Sequence, residues 1–289
     1  MTSDPQLKIA AWLQNAIPDS EHHTIHVASR TVRDILVKQC LFHFRVYHDV
    51  YAVTQESVIG LKVGIIGLGQ VGMSLLREAL KLHYLDPDNF MVSTRSPEKH
   101  HSFQAQGVRV MFDNEVIARE CDIIYMCCLP FQAERVCSSI KHVLNEKMTD
   151  LFPTQQPKPK TIVLSLLAAT PISKLRQYTD NYPYILRCYV DADYISQSIR
   201  ADPTKLTQVT KDLVYNMNSH IVGSTTDLQT LCEMYNMVFY GHMTVKTEVL
   251  NCFGDESLNE GGVWAEDEVC CAKFQLRFLA IMKEMGLFS

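Results

Sequence analysis

"VGIIGLGQVGMSLLREALK", Val63 to Lys81, is the stretch on which the fold turns. Four apolar residues end at a glycine, two more glycines follow at fixed spacing, and an amphipathic pattern begins at once. Val71, Leu75, Leu76, Ala79 and Leu82 recur at helical spacing. The pattern G-x-G-x-x-G is weak by itself. Here it follows a strand, opens a helix and begins a strand–helix–strand unit, which is the context that gives it meaning. Gly67 permits a tight turn, Gly69 leaves room for a pyrophosphate, and Gly72 lets the helix lie close to the strand. The helix start adds free N–H groups and a partial positive charge. A glycine-rich corner with a purely structural role is the alternative.

Working outward, further strands read at 90–94, 107–112, 122–128, 161–167 and 184–190. Helices read at 96–106, 114–121, 130–144 and 171–178 between them. Apolar strands alternating with helices imply a parallel sheet covered on both faces. Right-handed crossovers favour a doubly wound, Rossmann-type α/β fold with a mostly parallel sheet. Upstream, residues 1–60 read as a helical leader, with Val32, Ile35, Leu36, Cys40 and Phe42 near one face. Past Asp202 only helical patterns occur, at 202–217, 224–239 and 268–286. The expected organisation is therefore a leader at 1–60, a nucleotide-binding domain at 61–200 and a smaller helical domain at 201–289.

Composition narrows the function classes. A formal net charge of -5 over 289 residues supplies no basic field for nucleic acid. No apolar run approaches the roughly 18 residues of a membrane span. The start of the chain lacks a basic segment leading into an apolar run, so no secretory signal is expected. The ten cysteines sit mostly in apolar runs and read as reduced thiols. A cytoplasmic location is the expectation, with a mitochondrial one as the alternative. His22, His23 and His26 read as a solvated polar stretch, so no metal site is expected.

The end of the second strand selects the cofactor. NAD sites place an acid there to accept from the ribose hydroxyls. This chain reads Ser93, Thr94, Arg95, Ser96 instead. Arg95 can pair with a 2′-phosphate that a carboxylate would repel. NADP(H) is the expected cofactor.

Taken in order, "VGIIGLGQVG", "GVRVMFDNEVIARECDIIYMCCLP", "VLSLLAATPIS" and "ILRCYVDAD" resemble pyrroline-5-carboxylate reductase over about residues 61–195. The resemblance implies cofactor contacts by Ile66, Gly67, Leu68, Gly69, Gln70 and Val71 at the pyrophosphate, with Gly72 completing the motif. It implies Thr94, Arg95 and Ser96 at the 2′-phosphate and Asn114 at the adenosine end. Cys127, Cys128, Leu129 and Pro130 would flank the dinucleotide after the fourth strand, and Leu166, Leu167 and Ala168 after the fifth. Cys127 and Cys128 themselves read as core thiols, not nucleophiles. The implied activity is NADPH-dependent hydride transfer to a C=N or C=O group of a small metabolite, in proline biosynthesis, by a homo-oligomer.

Departures from that pattern lie on the substrate side. Leu129 stands for the family's lysine, and Tyr189, Val190 and Asp191 stand for its Met-Pro-Asn. Its Ser-Gly-Ser-Gly-Pro-Ala-Tyr turn has no counterpart after Asp202; "VGSTTD" reads as a helix cap. No catalytic residue is assigned, and Tyr189, Asp191 and Asp193 are candidates by position alone. The second reading is a catalytically degenerate NADP(H)-binding protein that acts through partners.

Overall fold

The computed structural model describes residues 19–55, 59–149, 159–167, 169–188, 190, 228–241, 280–281 and 283–285. The chain forms two compact units, Met1–Ile35 with Val190–Met217, and Leu36–Tyr189 with Asn218–Ser289. Of the first, the described part is essentially the beginning of a long helix. There the Thr31 hydroxyl donates to the Val27 carbonyl at 3.0 Å.

The second unit is built on six parallel strands in the order β3-β2-β1-β4-β5-β6. They are β1 (Val63–Ile66), β2 (Phe90–Ser93), β3 (Arg109–Met111), β4 (Ile123–Met126), β5 (Ile162–Ser165) and β6 (Ile185–Arg187). Every residue of β1, β2, β4 and β5 is buried, as continuous Val/Ile/Leu/Met runs require when both sheet faces are covered. Val63 pairs with Phe90 on one side and with Ile123 on the other. The order reverses between β1 and β4, and at such a switch point the strand ends part to leave a crevice. This is the doubly wound, Rossmann-type sheet the strand–helix alternation implies.

The helices, in chain order, are α1 (Asp19–Gln55), α2 (Gln70–Lys81), α3 (His101–Gln104), α4 (Asn114–Glu120), α5 (Ala133–Thr149), α6 (Ile172–Tyr178) and α7 (Leu228–Tyr240). The single helix expected over 96–106 is broken. A 3₁₀ turn at Pro97–Lys99 precedes a four-residue α3. The reason is local: Ser96 makes no side-chain cap, and His100 takes a non-helical φ of -120° and ψ of 33°. The helix expected from Pro130 also opens as a 3₁₀ turn, Pro130–Gln132, then runs on to Thr149.

Within the second unit, α1 is a core element. Leu36, Val37, Cys40 to Phe44, Val46 and Tyr47 are all buried, so apolar surface is covered around most of the helix and not only along one stripe. Phe44 meets Phe90 of β2 edge-on at 6.1 Å, and Tyr47 meets Phe239 of α7 at 4.8 Å. The buried Tyr125 hydroxyl of β4 donates to the Cys40 carbonyl at 2.9 Å. At the amino edge of the sheet, Arg109 and Lys62 both pair with Glu120 at 2.7 Å and hold its carboxyl down at about 2.

The helices expected at 202–217 and over most of 268–286 lie outside the described residues. So do Ala168, Tyr189, Asp191 and Asp193.

Candidate functional site

At the carboxyl ends of β1, β2, β4 and β5 the structure opens a cavity of about 870 Å³. Its floor is the glycine turn. Gly67 takes φ +99°, and a Cβ built there would lie 2.7 Å from the Cys128 amide nitrogen, so only glycine fits. Its own N–H donates to the Ser93 carbonyl at 2.9 Å, tying the turn to the end of β2. A Cβ on Gly72 would run into the Gly67 carbonyl; this glycine sets how closely α2 approaches β1. Gly69 differs from both. It caps α2 with no side-chain hydrogen bond, and a Cβ there would meet nothing within 4 Å. The space over Gly69 is the cavity itself, and the first amides of α2 have no intrahelical acceptor. A bare cradle of N–H groups with no acid in the first turn of α2 suits a pyrophosphate.

Ile66, Gly67, Leu68, Gly69, Gln70 and Val71 all line the cavity. Gly72 does not; it acts on the turn from beneath. Beyond β2, Thr94 and Arg95 line it, with Ser93 behind them, whereas Ser96 lies off its wall. Arg95 is exposed, and among the described residues it makes no ion pair or hydrogen bond. After β4 come Cys127, Cys128, Leu129 and Pro130, and after β5 Leu166 and Leu167.

Asn114 reaches the cavity from the first turn of α4, which Asp113 caps by accepting from the Glu115 and Val116 amides. The Ser93 hydroxyl donates to its Oδ1 at 2.6 Å, and its Nδ2 donates to the Ser139 hydroxyl at 3.5 Å. Asn114 therefore braces the end of β2 against α5 as well as facing the cavity.

Burial pushes the thiols here away from reactivity. Cys127 is raised by desolvation, and Cys128 is pushed up to about 11 for the same reason. At neutral pH both stay protonated, as core cysteines do.

Several lining residues were not assigned to the site by sequence. Leu36 arrives from α1, which no local pattern near the glycines announces. Phe112, 70% exposed, follows β3 at the rim. Gln132, Arg135, Val136 and Ser139 present one face of α5 and the turn before it. Their i, i+3, i+4, i+7 spacing was the available signal, but spacing says which residues share a face and not what the face looks onto.

Fold and cavity together define a Rossmann-type domain. Residues 62–149 match the family model described as NADP oxidoreductase, coenzyme F420-dependent. The chain is 28% identical over 59% of its length to the mouse protein "NADP-dependent oxidoreductase domain-containing protein 1", of which it covers 48%. It is 31% identical over 39% of its length to the pyrroline-5-carboxylate reductase of Methanosarcina acetivorans, of which it covers 37%. The chain thus spans about half or less of the length of these curated relatives. Among solved structures, the Plasmodium falciparum pyrroline carboxylate reductase with NADP bound is similar at 17% identity and TM-score 0.36, over 55% of this chain and 62% of that one.

Proposed function

We propose that this chain binds NADP(H) in the cavity and is an NADPH-dependent reductase of a C=N or C=O group in a small metabolite. The observation that carries this reading is the pairing of an open cradle over Gly69 with Arg95 at the end of β2, where an NAD site would hold an acid. The cavity volume suits a ligand of this size. The matches to proteins named as NADP oxidoreductases and pyrroline-5-carboxylate reductases support the same reading.

The bound nicotinamide would supply the hydride. The chain's own work is to bind, orient and exclude water. The α2 amides and Gly69 would take the pyrophosphate. Thr94 and Arg95, with Ser96 beside them, would take the 2′-phosphate, and Asn114 would hold the adenosine end against α4. Cys127 to Pro130 and Leu166 to Ala168 would form an apolar wall for the rest of the dinucleotide, with Leu36 also lining the cavity. An imine whose nitrogen is already protonated is electrophilic without a strong protein acid. Such a substrate suits a site to which no catalytic acid is assigned. By resemblance the substrate is pyrroline-5-carboxylate, the pathway is proline synthesis and the working form a homo-oligomer. The described cysteines are free thiols, which supports a reducing compartment such as the cytoplasm.

One observation favours a second reading, a catalytically degenerate NADP(H)-binding protein acting through partners. Leu129, 52% exposed on the cavity wall, stands where the resembled reductases carry lysine.

The test follows NADPH absorbance with pyrroline-5-carboxylate and a panel of cyclic imines and keto acids, beside fluorescence titrations with NADPH and NADH. The proposal expects at least tenfold tighter NADPH binding and turnover of at least one acceptor. Tight binding without turnover selects the second reading; equal affinities refute the NADP(H) assignment.

A further inference from the structure

We propose that Arg135 is a second cofactor-selecting residue, which reaches the 2′-phosphate of NADP(H) from α5 while Arg95 reaches it from β2. The inference rests on the NADP(H) reading above and goes beyond it, because no motif or resemblance assigns a role to this position.

Two arginines line the cavity and no carboxylate does, among the described residues. Elsewhere in the same unit several cations are ion-paired. Arg109 and Lys62 pair with Glu120, Arg119 with Glu115, Lys141 with Asp180 and Lys81 with Glu78. Arg95 and Arg135 have neither an ion pair nor a hydrogen bond among the described residues. Two unmatched guanidinium groups at one cavity are poised for a ligand of concentrated negative charge.

Hydrogen bonds tie the turn of α5 that follows Arg135 to the end of β2. Ser93, two residues before Arg95, donates to Asn114 at 2.6 Å, and Asn114 donates to Ser139 at 3.5 Å. Ser139 in turn donates to the Val136 carbonyl at 2.7 Å, which fixes its rotamer on α5. Arg135 is one turn before Ser139 on the same helix face. Because α5 returns antiparallel to the strands, that turn is nearer their carboxyl ends, where Arg135 lines the cavity. The braced chain Ser93–Asn114–Ser139 thus sets the separation between the two arginine-bearing elements. With Asn114 at the adenosine end, as the proposed placement has it, a phosphate on the adenosine ribose would lie between these elements, and a pyrophosphate on the α2 amides would lie further along, at the switch point.

Fragments without nicotinamide test this independently of any activity. Wild-type protein and Arg135→Ala, Arg135→Lys and Arg95→Ala variants are titrated by calorimetry with adenosine 2′,5′-bisphosphate and with adenosine 5′-monophosphate. The expected result is a loss of at least tenfold in bisphosphate affinity for Arg135→Ala and Arg95→Ala, with monophosphate affinity within twofold of wild type. Arg135→Lys recovers part of the loss, since the charge remains and the bidentate fork does not. An Arg135→Ala variant that keeps the wild-type preference, or weakens both fragments equally, overturns the role given to Arg135 and leaves the NADP(H) reading standing. A wild-type protein with no preference for the bisphosphate overturns both. Arg135 is exposed, so an unchanged circular dichroism spectrum and melting temperature are expected for its variants.

Discussion

Three glycines within six residues do three different jobs, and substitution separates them. At Gly69 an added side chain enters open space, so Gly69→Val folds with a melting temperature within about 2 °C of wild type. Its isopropyl group occupies the cradle, and NADPH affinity falls at least tenfold by fluorescence titration. At Gly72 even a methyl group meets the Gly67 carbonyl, which is backbone and has nowhere to go. Gly72→Ala therefore costs about 1–3 kcal/mol of stability in urea denaturation, the usual range for overpacking. A stable Gly72→Ala, or a Gly69→Val that binds normally, breaks this division. The motif was legible in the sequence because glycine spacing and its flanking strand and helix are both local. Which glycine faces ligand and which faces backbone became visible only with the turn built. For Arg135 the local signal was only its helical spacing with Gln132, Val136 and Ser139: an arginine on a helix face is read as solvated until the helix is placed beside a cavity.

At the scale of elements, α1 departs furthest from a local reading. Apolar spacing in residues 31–46 suggests one buried stripe, yet its middle is buried around most of its circumference. The reason is non-local. Residues far along the chain, Phe90 and Tyr125 on the sheet and Tyr235 and Phe239 on α7, meet it from different sides, and no window of sequence contains them. This packing buries a histidine. His43 is 3% exposed, its Nδ1 lies 3.1 Å from the Tyr235 hydroxyl, and desolvation lowers its pKa from 6.5 to about 4. The native state therefore holds His43 neutral at pH values where the unfolded chain has already taken up a proton. Below pH 6.5 the unfolded state binds more protons, so the stability due to neutral burial is full above 6.5 and is lost as pH falls toward 4. The whole shift corresponds to about 3 kcal/mol, of which about 2 kcal/mol is gone at pH 5. Urea denaturation at pH 7 and pH 5 should show this drop in wild type. In His43→Gln, whose neutral amide can still meet Tyr235, the drop between those two pH values should shrink to below about 1 kcal/mol. An identical drop in both proteins would assign it to other groups.

For the whole molecule, charge and ligand pull in opposite directions. The chain carries a formal -5, and NADPH brings about four negative charges near pH 7, so the long-range field disfavours approach. On the proposed reading, binding then comes from local groups: the α2 amides, Arg95 and Arg135 at a cavity without a described carboxylate. The doubly wound parallel sheet that makes this crevice was legible, because buried parallel strands are continuous apolar runs and the crossover rule leaves few topologies; the strand order and its switch point came with the structure. The apparatus beyond residue 190 was not, since helical periodicity gives faces but not their partners. Exposed arginines act through water and are screened by salt, with a Debye length of about 10 Å at 0.1 M and 3 Å at 1 M. Raising NaCl from 0.05 to 0.5 M should therefore weaken NADPH severalfold, and NADH distinctly less, since only NADPH presents the 2′-phosphate to the two guanidinium groups. The same difference should appear in thermal unfolding. A ligand at about 100 times its Kd adds roughly 2.7 kcal/mol, or about 5–10 °C in a unit of this size. NADH at the same concentration, bound tenfold more weakly, adds about half of that. Parallel salt slopes for the two nucleotides, together with equal thermal shifts, would mean that the arginines do not read the 2′-phosphate and that the amide cradle alone carries the binding.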